Sequence, residues 1–511
     1  MAEKNWKEVA QAQDISEGKP FAVELSEDEQ VLIFRNDGEL SACGNSCTHL
    51  GAPLSDGTFS GSEVTCPFHN ARFDVTSGRM IQPPALDDLP RYDIKEEDGR
   101  VFLGTAHPAE ISMPSGDDAR TFVVVGAGAA GQAAAETLRR EGFAGRIVMI
   151  TAEAERPYDR TLLSKLYLSG ELDEDMLYIR DPAFYERLSI ELRAQTRVKA
   201  VSPEARTVVL DSGEEIAADA LLLATGSRPK ALPVAGSDLP NVFLLRSLAG
   251  ARQLRGAAQV ASRAVVVGAS FIATEAAASL RAQGVEVDVV APETVPFERV
   301  FGQRVGGRFL KMHRDNGVRF HLGRGVSRFE GGGSVERVFL DDGTVLSADM
   351  VVVGVGVEPV IDYLTGAPVV ADGAVRVDEK LELAPNVFAA GDIAALPSAN
   401  GGRHRVEHWV VAERQGRHAA RNMLGAGEPY RLTPFFWTRQ LGTSFKYVGF
   451  AGVFDEIAYI GDVEEGSFLA GYVKDGNVIA VSSVGRGAAV NRFGERLEQG
   501  KTVRPEELES L

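Results

Sequence analysis

A strand followed by a glycine turn and a helix constrains this chain more than any other stretch. Residues Thr121–Gly131 read T-F-V-V-V-G-A-G-A-A-G, and a second apolar strand further on ends just before Glu153. Gly126 permits the tight bend, Gly128 lets the backbone approach a pyrophosphate, and Gly131 lets the helix pack on the strand. Free N–H groups at the start of the helix then face the anion. The pattern predicts a dinucleotide-binding α/β unit; the alternative is a glycine turn that serves packing alone.

A second strand–turn–helix unit begins at Ala264, about 140 residues later, with the sequence A-V-V-V-G-A-S-F-I-A-T-E. The first glycine is present as Gly268, but Ser270 and Ala273 stand at the second and third positions. Alanine is accepted at the third position, whereas serine at the second leaves less room for a pyrophosphate. As a repeat of the first unit, it indicates a second dinucleotide site. The alternative is a βαβ unit that packs and binds nothing.

Two loops near the start of the chain combine cysteine with histidine. Cys47-x-His49 and Cys66-x-x-His69 are separated by sixteen residues. Two thiolates and two imidazoles can hold a [2Fe–2S] cluster, with both histidines on one iron. Tetrahedral zinc uses the same types of ligand, and a purely structural use of these side chains is a further alternative. Cys43 is left without a partner, and we expect it to be a small buried side chain.

Composition excludes several classes of protein. The net charge of −18 argues against nucleic acids and anionic membranes as partners. No apolar run approaches the ~18 residues that a membrane-spanning helix needs, and the first residues show no hydrophobic signal region, so we expect a cytoplasmic protein. All three cysteines lie within the first 70 residues, which excludes a disulfide scaffold and leaves no thiol chemistry to the rest of the chain.

From Thr121 onward, these motifs in this order resemble the FAD- and NAD-dependent pyridine nucleotide oxidoreductases. The segment before it is similar to a Rieske domain over nearly its whole length. Within the group, the chain is similar to ferredoxin reductases and to apoptosis-inducing-factor-like flavoproteins, and the fused Rieske domain is typical of the latter. The expected fold is multidomain: an all-β Rieske domain, two Rossmann-like three-layer α/β domains and a small α+β domain. We expect the Rieske domain at 1–107, a linker at 108–120, the FAD-binding domain at 121–240 and 359–428, the NAD-binding domain at 241–358 and the C-terminal domain at 429–511.

The resemblance assigns roles to residues that match the family motifs. Glu153 is expected to bind the adenosine ribose of FAD, and Asp392 the ribityl–phosphate end. Arg160 and Lys165 are expected near the pyrophosphate and the flavin ring. Glu275 is expected to meet the nicotinamide and to form an ion pair with Lys165; the alternative is two unrelated surface charges. The expected FAD and NADH contacts are Gly126, Gly128, Gly131, Glu153, Arg160, Lys165, Thr225, Gly226, Gly268, Ser270, Ile272, Glu275, Glu293, Gly356, Gly391, Asp392, Glu407, His408 and Trp409.

The resemblance also indicates the type of cluster and of nucleotide. High-potential Rieske domains carry a disulfide between their loops and a serine that donates to a bridging sulfide. This chain has Ala52 and Phe68 at the cysteine positions and Ala71 at the serine position, which implies a low potential because fewer hydrogen bonds reach the sulfurs. Ala291 follows the strand of the second unit and Glu293 comes two residues later, with no arginine there for a 2′-phosphate. NADH is therefore expected, and NADPH remains open.

The implied function is an NADH-dependent flavin oxidoreductase. Electrons would pass from NADH through FAD to the cluster in the same chain and on to an oxygenase, a cytochrome or a ferredoxin. Lys165, Glu275 and Trp409 are the expected catalytic residues, with Trp409 between flavin and cluster. Disulfide-reductase activity is excluded, because no cysteine follows Cys66. The alternative function is an NADH-binding redox sensor with little turnover; a monomer and a homodimer are both open.

Charge suggests how the first domain docks. Residues 1–107 hold 19 acidic and 9 basic side chains, so they carry more than half of the net negative charge. Arg414, Arg417 and Arg421 recur at helical spacing after Trp409 and lie on one face of that helix. An acidic domain is expected to meet this basic face; the alternative is a solvated helix face.

Overall fold

The computed structural model describes residues 6–109, 111–398 and 402–511. In these ranges the chain forms an all-β domain, two three-layer α/β domains and an α+β domain, which confirms the expected fold class. No helix or strand is found among the described residues between His107 and Thr121. The exact domain boundaries stay predictions.

Seven α-helices occur in the described ranges. They are α1 (Ala129–Arg140), α2 (Pro182–Arg187), α3 (Leu248–Ala258), α4 (Phe271–Ala282), α5 (Glu298–Asp315), α6 (Trp409–Met423) and α7 (Gly487–Glu498). None of the helices in the described part of the chain is long and apolar enough to cross a membrane.

The all-β domain contains a six-stranded antiparallel sheet and a four-stranded one that carries the two Cys–His loops. In spatial order the larger sheet consists of Lys7–Gln11, Arg100–His107, Arg91–Glu97, Glu39–Gly44, Glu29–Asn36 and Pro20–Ser26. The smaller sheet consists of Thr58–Ser60, Glu63–Thr65, Arg72–Asp74 and Met80–Gln82. Cys43 is fully buried between them, as expected, and burial raises the pKa of its thiol to about 12.

The first α/β domain is built on a parallel sheet whose strands are almost entirely apolar, because helices or other elements cover both of its faces. Its order is Ile190–Arg193, Arg146–Ile150, Thr121–Val125, Ala220–Leu223 and Val387–Ala389, with Glu382–Ala384 antiparallel at the edge. Helices α1 and α6 pack closely, and a Cβ atom on Gly416 would lie 2.0 Å from Ala130 O. Three short strands form an antiparallel sheet beside it: Val198–Ser202, Thr207–Leu210 and Glu215–Ala217.

The second α/β domain repeats this plan with five parallel strands. Their order is Val242–Leu244, Met350–Val353, Arg263–Val267, Glu286–Ala291 and Arg319–Leu322. An antiparallel sheet of Val326–Glu330, Arg337–Leu340 and Val345–Ser347 covers one side. The chain crosses between the α/β domains through a two-stranded ribbon of Ser227–Pro229 and Val357–Pro359. A small sheet of Val375–Arg376, Ala394–Pro397 and Arg403–His404 follows.

The α+β domain has five antiparallel strands with α7 packed on them. Their spatial order is Phe435–Gln440, Thr443–Gly449, Asn477–Val484, Ser467–Lys474 and Glu456–Asp462. Successive side chains of a strand point to opposite faces of a sheet. Because Phe435–Gln440 is an edge strand, its side chains reach the neighbouring domains on both sides.

Candidate active site

A cavity of about 640 Å³ opens between the two α/β domains, where both glycine turns end. Most residues that the sequence assigned to nucleotide contacts line it: Gly126, Gly128, Glu153, Arg160, Lys165, Thr225, Gly226, Ser270, Ile272, Glu275, Gly356, Gly391, Asp392, Glu407, His408 and Trp409. The lining does not include Gly131, Gly268 or Glu293. Instead, Glu293 lies 3.8 Å from the exposed guanidinium of Arg299, an arginine that the sequence pattern did not associate with this site.

The first glycine turn leaves the room that a pyrophosphate needs. Gly126 has a φ of 108°, and a Cβ atom there would lie 2.2 Å from Ala224 O. A Cβ on Gly131 would lie 1.8 Å from Gly126 O, so this glycine is required for packing. A Cβ atom on Gly128 would have no other atom within 4 Å, so the backbone there faces open space. The cradle therefore fits a dinucleotide at the start of α1.

Arg160 is fixed in place by groups on both sides. It forms an ion pair with Glu153, and its Nη1 donates to Tyr158 OH at 2.6 Å and to Arg246 O at 3.0 Å. Tyr158 OH in turn donates to Glu153 Oε2 at 2.5 Å, and burial raises the pKa of Tyr158. The cluster joins the acid after the second strand to the arginine motif, as one anion site would require.

Asp392 is held by two donors at the opposite side of the cavity. Ser227 Oγ donates to Asp392 Oδ2 at 2.5 Å, and Arg246 Nη2 lies 2.9 Å from the same oxygen. Gly391 N donates to Gln415 Oε1 at 2.7 Å, which ties the turn to α6. No sequence motif surrounds Arg246, and only the fold brings it to this site.

The expected ion pair between the α/β domains is present. Lys165 Nζ lies 3.0 Å from Glu275 Oε2, and the Glu275 side chain is 2% exposed. Ser164 Oγ donates to Glu275 Oε2 at 2.5 Å, and Thr438 Oγ1 donates to Oε1 at 2.7 Å. The carboxylate is therefore satisfied on both oxygens. Its partners come from the first α/β domain and from the α+β domain, so three domains meet at this residue.

Burial controls the protonation of the Glu407–His408 pair. Glu407 forms an ion pair with Arg405, and burial raises the pKa of Glu407. Burial lowers the pKa of His408 to about 4, so its imidazole is neutral near pH 7. The ring lies 4.8 Å from that of Phe436, centroid to centroid.

The four Cys and His side chains of the N-terminal loops meet as two pairs. Cys47 donates a hydrogen bond to Cys66. This bond is the largest cause of the low pKa of Cys66, which is about 7. His49 Nδ1 and His69 Nδ1 are 3.0 Å apart, and burial lowers both imidazole pKa values, to about 4 and about 3. Within the described residues, no group of three or more such side chains converges on one metal-ion position. Paired thiols and paired neutral imidazoles fit a cluster of two irons.

An indole ring connects these histidines with the cavity. The centroid of Trp437 lies 4.5 Å from that of His69 and 6.2 Å from that of His49, and Trp437 also lines the cavity. The sequence predicts Trp409 between flavin and cluster, and that role stays a prediction. Trp409 lines the cavity at the start of α6, but its side chain bonds to Glu413 of its own helix. The tryptophan that packs on His69 comes from an edge strand of a later domain, where no motif marked it.

The expected docking face exists, but its chemistry differs from the expectation. Arg414 Nη2 donates to Asn70 Oδ1 at 2.7 Å, and Arg417 Nη2 to Met80 O at 3.3 Å. Both arginines are buried, so neither the acidic partners nor a solvated face is correct for them. Only Arg421 meets an acid, Glu141, at 2.9 Å, and that acid follows α1 of the same α/β domain. Helix α6 is enclosed between domains, and the guanidinium groups of Arg414 and Arg417 donate there to neutral oxygens and to the sulfur of Met80.

The acidic side chains of the Rieske domain reach other arginines of the first α/β domain. Asp87 lies 2.8 Å from Arg180 and 3.3 Å from Arg140, and Arg140 is 3.4 Å from Asp88. Arg180 also pairs with Glu136 of α1 at 2.9 Å. Charge complementarity therefore acts at this junction, at residues that no local pattern marked.

Comparison with protein families agrees with this architecture. Three family models match consecutive parts of the chain: a Rieske [2Fe-2S] domain at 5–93, a pyridine nucleotide-disulphide oxidoreductase at 120–416 and a reductase C-terminal domain at 435–510. The chain belongs to the pyridine nucleotide-disulphide oxidoreductase family. It is an NADH oxidoreductase of the ferredoxin reductase type, with FAD and a Rieske [2Fe–2S] cluster as cofactors.

Among individual proteins, the chain is similar over nearly its full length to apoptosis-inducing factor 3 of Mus musculus. The two are 36% identical over 98% of this chain and 85% of that protein. The ferredoxin–NAD(+) reductase component of the anthranilate 1,2-dioxygenase system of Burkholderia cepacia is 35% identical over 76% of this chain and 96% of its own length. The crystal structure of the ferredoxin reductase for the CYP199A2 system from Rhodopseudomonas palustris superposes with a TM-score of 0.72. It is 37% identical and covers 76% of this chain and 97% of its own.

Proposed function

We propose that this chain passes electrons from NADH, by way of FAD, to the [2Fe–2S] cluster of its own Rieske domain and on to a separate one-electron acceptor protein. The observation that carries the proposal is the position of Trp437. Its ring packs on His69, 4.5 Å between centroids, and lines the cavity that contains the Lys165–Glu275 pair. When bound, FAD accepts a hydride from NADH and can release its two electrons singly, which suits a one-electron cluster.

The proposed cluster ligands are Cys47 and Cys66 on one iron and His49 and His69 on the other. The separate thiol and imidazole pairs support this assignment over zinc, which needs all four ligands around one ion. Ala52 and Ala71 offer no side-chain donor to the sulfurs, which supports a low-potential cluster.

The residues proposed to bind FAD divide by what they recognise. Gly126 and Gly128 with the start of α1 receive the pyrophosphate, supported by the open space at Gly128. Glu153 binds the adenosine ribose, and Arg160 supplies a fixed cation beside it. Asp392 holds the ribityl end. The remaining FAD-side positions are Gly131, Thr225, Gly226, Gly391, Glu407, His408 and Trp409.

The NADH side is proposed to lie across the cavity at α4. Ser270, Ile272 and Gly356 line it there, and Ile272 is 41% exposed, as expected of a site whose ligand enters and leaves. Lys165 and Glu275 hold opposite charges at the point where the domains meet. Gly268 shapes the turn before α4, and Glu293 is the proposed contact of the adenosine ribose of NADH, with NADPH as the less favoured alternative.

The acceptor is proposed to be an oxygenase, a cytochrome or a ferredoxin. Several relatives are named as ferredoxin reductase components of dioxygenase systems, which supports a partner of this kind. Steady-state reduction assays with candidate one-electron acceptor proteins would identify it.

Variants of Trp437 in the full-length holoprotein test the electron path. Anaerobic mixing with NADH should bleach the flavin at the wild-type rate in Trp437→Leu, whereas the signal of the reduced cluster should appear more slowly. Trp437→Phe should be intermediate, because a phenyl ring keeps part of the packing on His69. The same measurement on Trp409→Phe tests the alternative route past Trp409, which lines the cavity at the start of α6. The proposal fails if NADH does not reduce the cluster, or if Trp437→Leu reduces it at the wild-type rate.

A second candidate function is an NADH-binding redox sensor with little turnover. Similarity to apoptosis-inducing factor 3 over 98% of the chain favours it. The same experiment distinguishes the two functions. A long-lived complex of reduced protein and NAD that turns over negligibly with every acceptor tested would support the sensor over the reductase.

A further inference from the structure

Lys446 brings a positive charge from the α+β domain to the loop that carries Cys66. It lies on the strand Thr443–Gly449, and its Nζ donates a hydrogen bond to Pro67 O, the residue after Cys66. The contact joins positions that are 379 residues apart in sequence. The chain therefore places this ammonium at the second cluster loop only when the Rieske domain is docked.

The site of Lys446 is close-fitting and partly shielded from water. Burial lowers the pKa of Lys446, and the negative charge of Cys66 raises it. A Cβ atom on Gly487, the first residue of α7, would lie 2.7 Å from Lys446 Nζ, so a glycine there makes room for the ammonium. The local packing holds the cation against the loop.

Within the described residues Lys446 forms no ion pair with a carboxylate, unlike Arg72 and Arg180 at this junction. Arg72 pairs with Glu498 at 2.6 Å, and Arg180 pairs with Asp87 at 2.8 Å. The charge of Cys66 favours the protonated form of Lys446 and so raises its pKa. A largely desolvated cation normally pairs with an anion. Here the available anion is the thiolate that is proposed to bind iron.

We propose that Lys446 raises the midpoint potential of the [2Fe–2S] cluster by stabilising its reduced form, and that this effect depends on docking of the Rieske domain. The inference rests on the proposed ligand Cys66. Reduction by one electron adds a negative charge to the cluster and its thiolates, and a cation in a medium of low dielectric attracts this charge more strongly than water would. Charge and hydrogen bonding near the sulfurs are established determinants of cluster potential.

This role gives the docked domain a property that the free domain lacks. Ala52 and Ala71 remove side-chain donors near the sulfurs and lower the potential, whereas Lys446 acts in the opposite direction from another domain. The cluster therefore accepts an electron more readily while Trp437 packs on its histidines. Lys446 is a positioning residue in this reaction, because it acts through the Cys66 loop and contacts no nucleotide.

The test is a potentiometric titration of the full-length holoprotein with chemical reductants and mediators, followed by the electron paramagnetic resonance signal of the reduced cluster. Lys446→Gln can still donate to Pro67 O but carries no charge. Its midpoint potential should fall enough to lower the ratio of reduced to oxidised cluster about tenfold at a fixed potential, which is about 59 mV for one electron. Lys446→Arg should keep the wild-type potential. Lys474→Gln, an exposed lysine of the same domain that pairs with Asp455, is the matched control and should not shift it.

Two results would overturn the inference. One is a wild-type potential in Lys446→Gln; the other is an equal drop in Lys446→Arg, which would show that shape rather than charge is responsible. If Lys446→Gln does not fold, Lys446→Met carries the same expectation. Because the titration uses no NADH, failure of NADH to reduce the cluster would contradict the electron path alone. Zinc in place of iron would remove the ligand set and this inference with it.

Discussion

The two junctions that meet at the strand Phe435–Gln440 are built from opposite chemistry. Where the three reductase domains join, a buried carboxylate, Glu275, is neutralised by Lys165 and receives two hydroxyl donors. Where the Rieske domain joins α6, Arg414 and Arg417 are buried against neutral acceptors, which are oxygens and the sulfur of Met80. A paired charge becomes costly when its partner is removed, because the remaining ion stays buried. A cation bound by neutral dipoles depends on the geometry of its hydrogen bonds instead.

Removal of Glu275 should have the largest effect. Glu275→Ala leaves Lys165 without its counter-ion and Ser164 and Thr438 without their acceptor, and it should lower the free energy of unfolding by about 3–5 kcal/mol. Urea unfolding of the full chain measures it. Glu275→Gln keeps one of the two acceptor oxygens, because its amide nitrogen can only donate, and it should lose less. If Glu275→Ala lowers the free energy of unfolding by less than about 1 kcal/mol, the Lys165–Glu275 pair contributes no more than a surface ion pair. The contrast between the two junctions would then be wrong.

Truncation of a buried arginine at the Rieske junction should have the second largest effect on stability. Arg414→Ala leaves Asn70 Oδ1 and Thr433 O without their donor, and unsatisfied buried acceptors cost about 1–3 kcal/mol. We expect a loss of about 2–3 kcal/mol, seen as earlier thermal release of the Rieske domain. Because these acceptors are neutral, the loss should be the same in low and high salt. A strong salt dependence would mean that long-range charge, rather than the hydrogen bonds, holds this face.

A buried acid beside Arg414 should show its effect through pH. Burial raises the pKa of Glu413 from 4.5 to about 8, and its Oε2 has no hydrogen-bond partner among the described residues. A carboxyl whose folded-state pKa is raised contributes stability that is full below its unfolded pKa and is lost as the pH rises through the folded value.

Glu413→Gln removes that pH dependence. The variant should match the wild type near the unfolded pKa of the acid and become more stable by about 4 kcal/mol toward pH 8. Thermal unfolding across this pH range measures the difference. A variant that is less stable than the wild type at pH 8 would show that Glu413 is ionised and paired at neutral pH.

Of the three arginines predicted to lie on one face of α6, Arg421 should have the smallest effect on stability when it is replaced. It pairs with Glu141 at 2.9 Å, and both side chains are partly exposed, at 30% and 28%. Such pairs contribute about 0–1 kcal/mol and weaken with salt. Arg421→Ala should therefore cost less than about 1 kcal/mol, and the cost should vanish in high salt. A loss as large as that of Arg414→Ala would mean that the helix acts as one charged surface, as its sequence spacing suggested.

Features that depend only on a local sequence pattern could be predicted from the sequence. Both strand–turn–helix units, the thiol and imidazole spacing and the fold class follow from periodicity and from glycine chemistry. The contact between Lys165 and Glu275 came from family resemblance, since 110 residues of chain separate the two positions. Spacing also placed Arg414 and Arg417 on one face, but it could not show that this face is buried.

Contacts that depend on how domains assemble could not be predicted. Trp437 reaches His69 from a strand that begins after residue 428, and Arg246 reaches Asp392 from the turn before α3. Neither residue belongs to a motif, and each reaches its partner only when the domains are assembled. The sequence marked Trp409 and not Trp437 for the same reason: a motif gives the residue type near a site but not which ring fills the space between two domains.

The edge strand Phe435–Gln440 makes the molecule sensitive to the insertion or deletion of a single residue. Trp437 contacts the histidines of the iron–sulfur loops, and its neighbour Thr438 contacts Glu275. One step of about 3.4 Å along the strand thus separates the two redox neighbourhoods. Insertion or deletion of one residue before Phe435 would exchange the faces of the strand. It would turn a hydroxyl toward the imidazoles and an indole toward the carboxylate, so the length of this segment is as constrained as its composition.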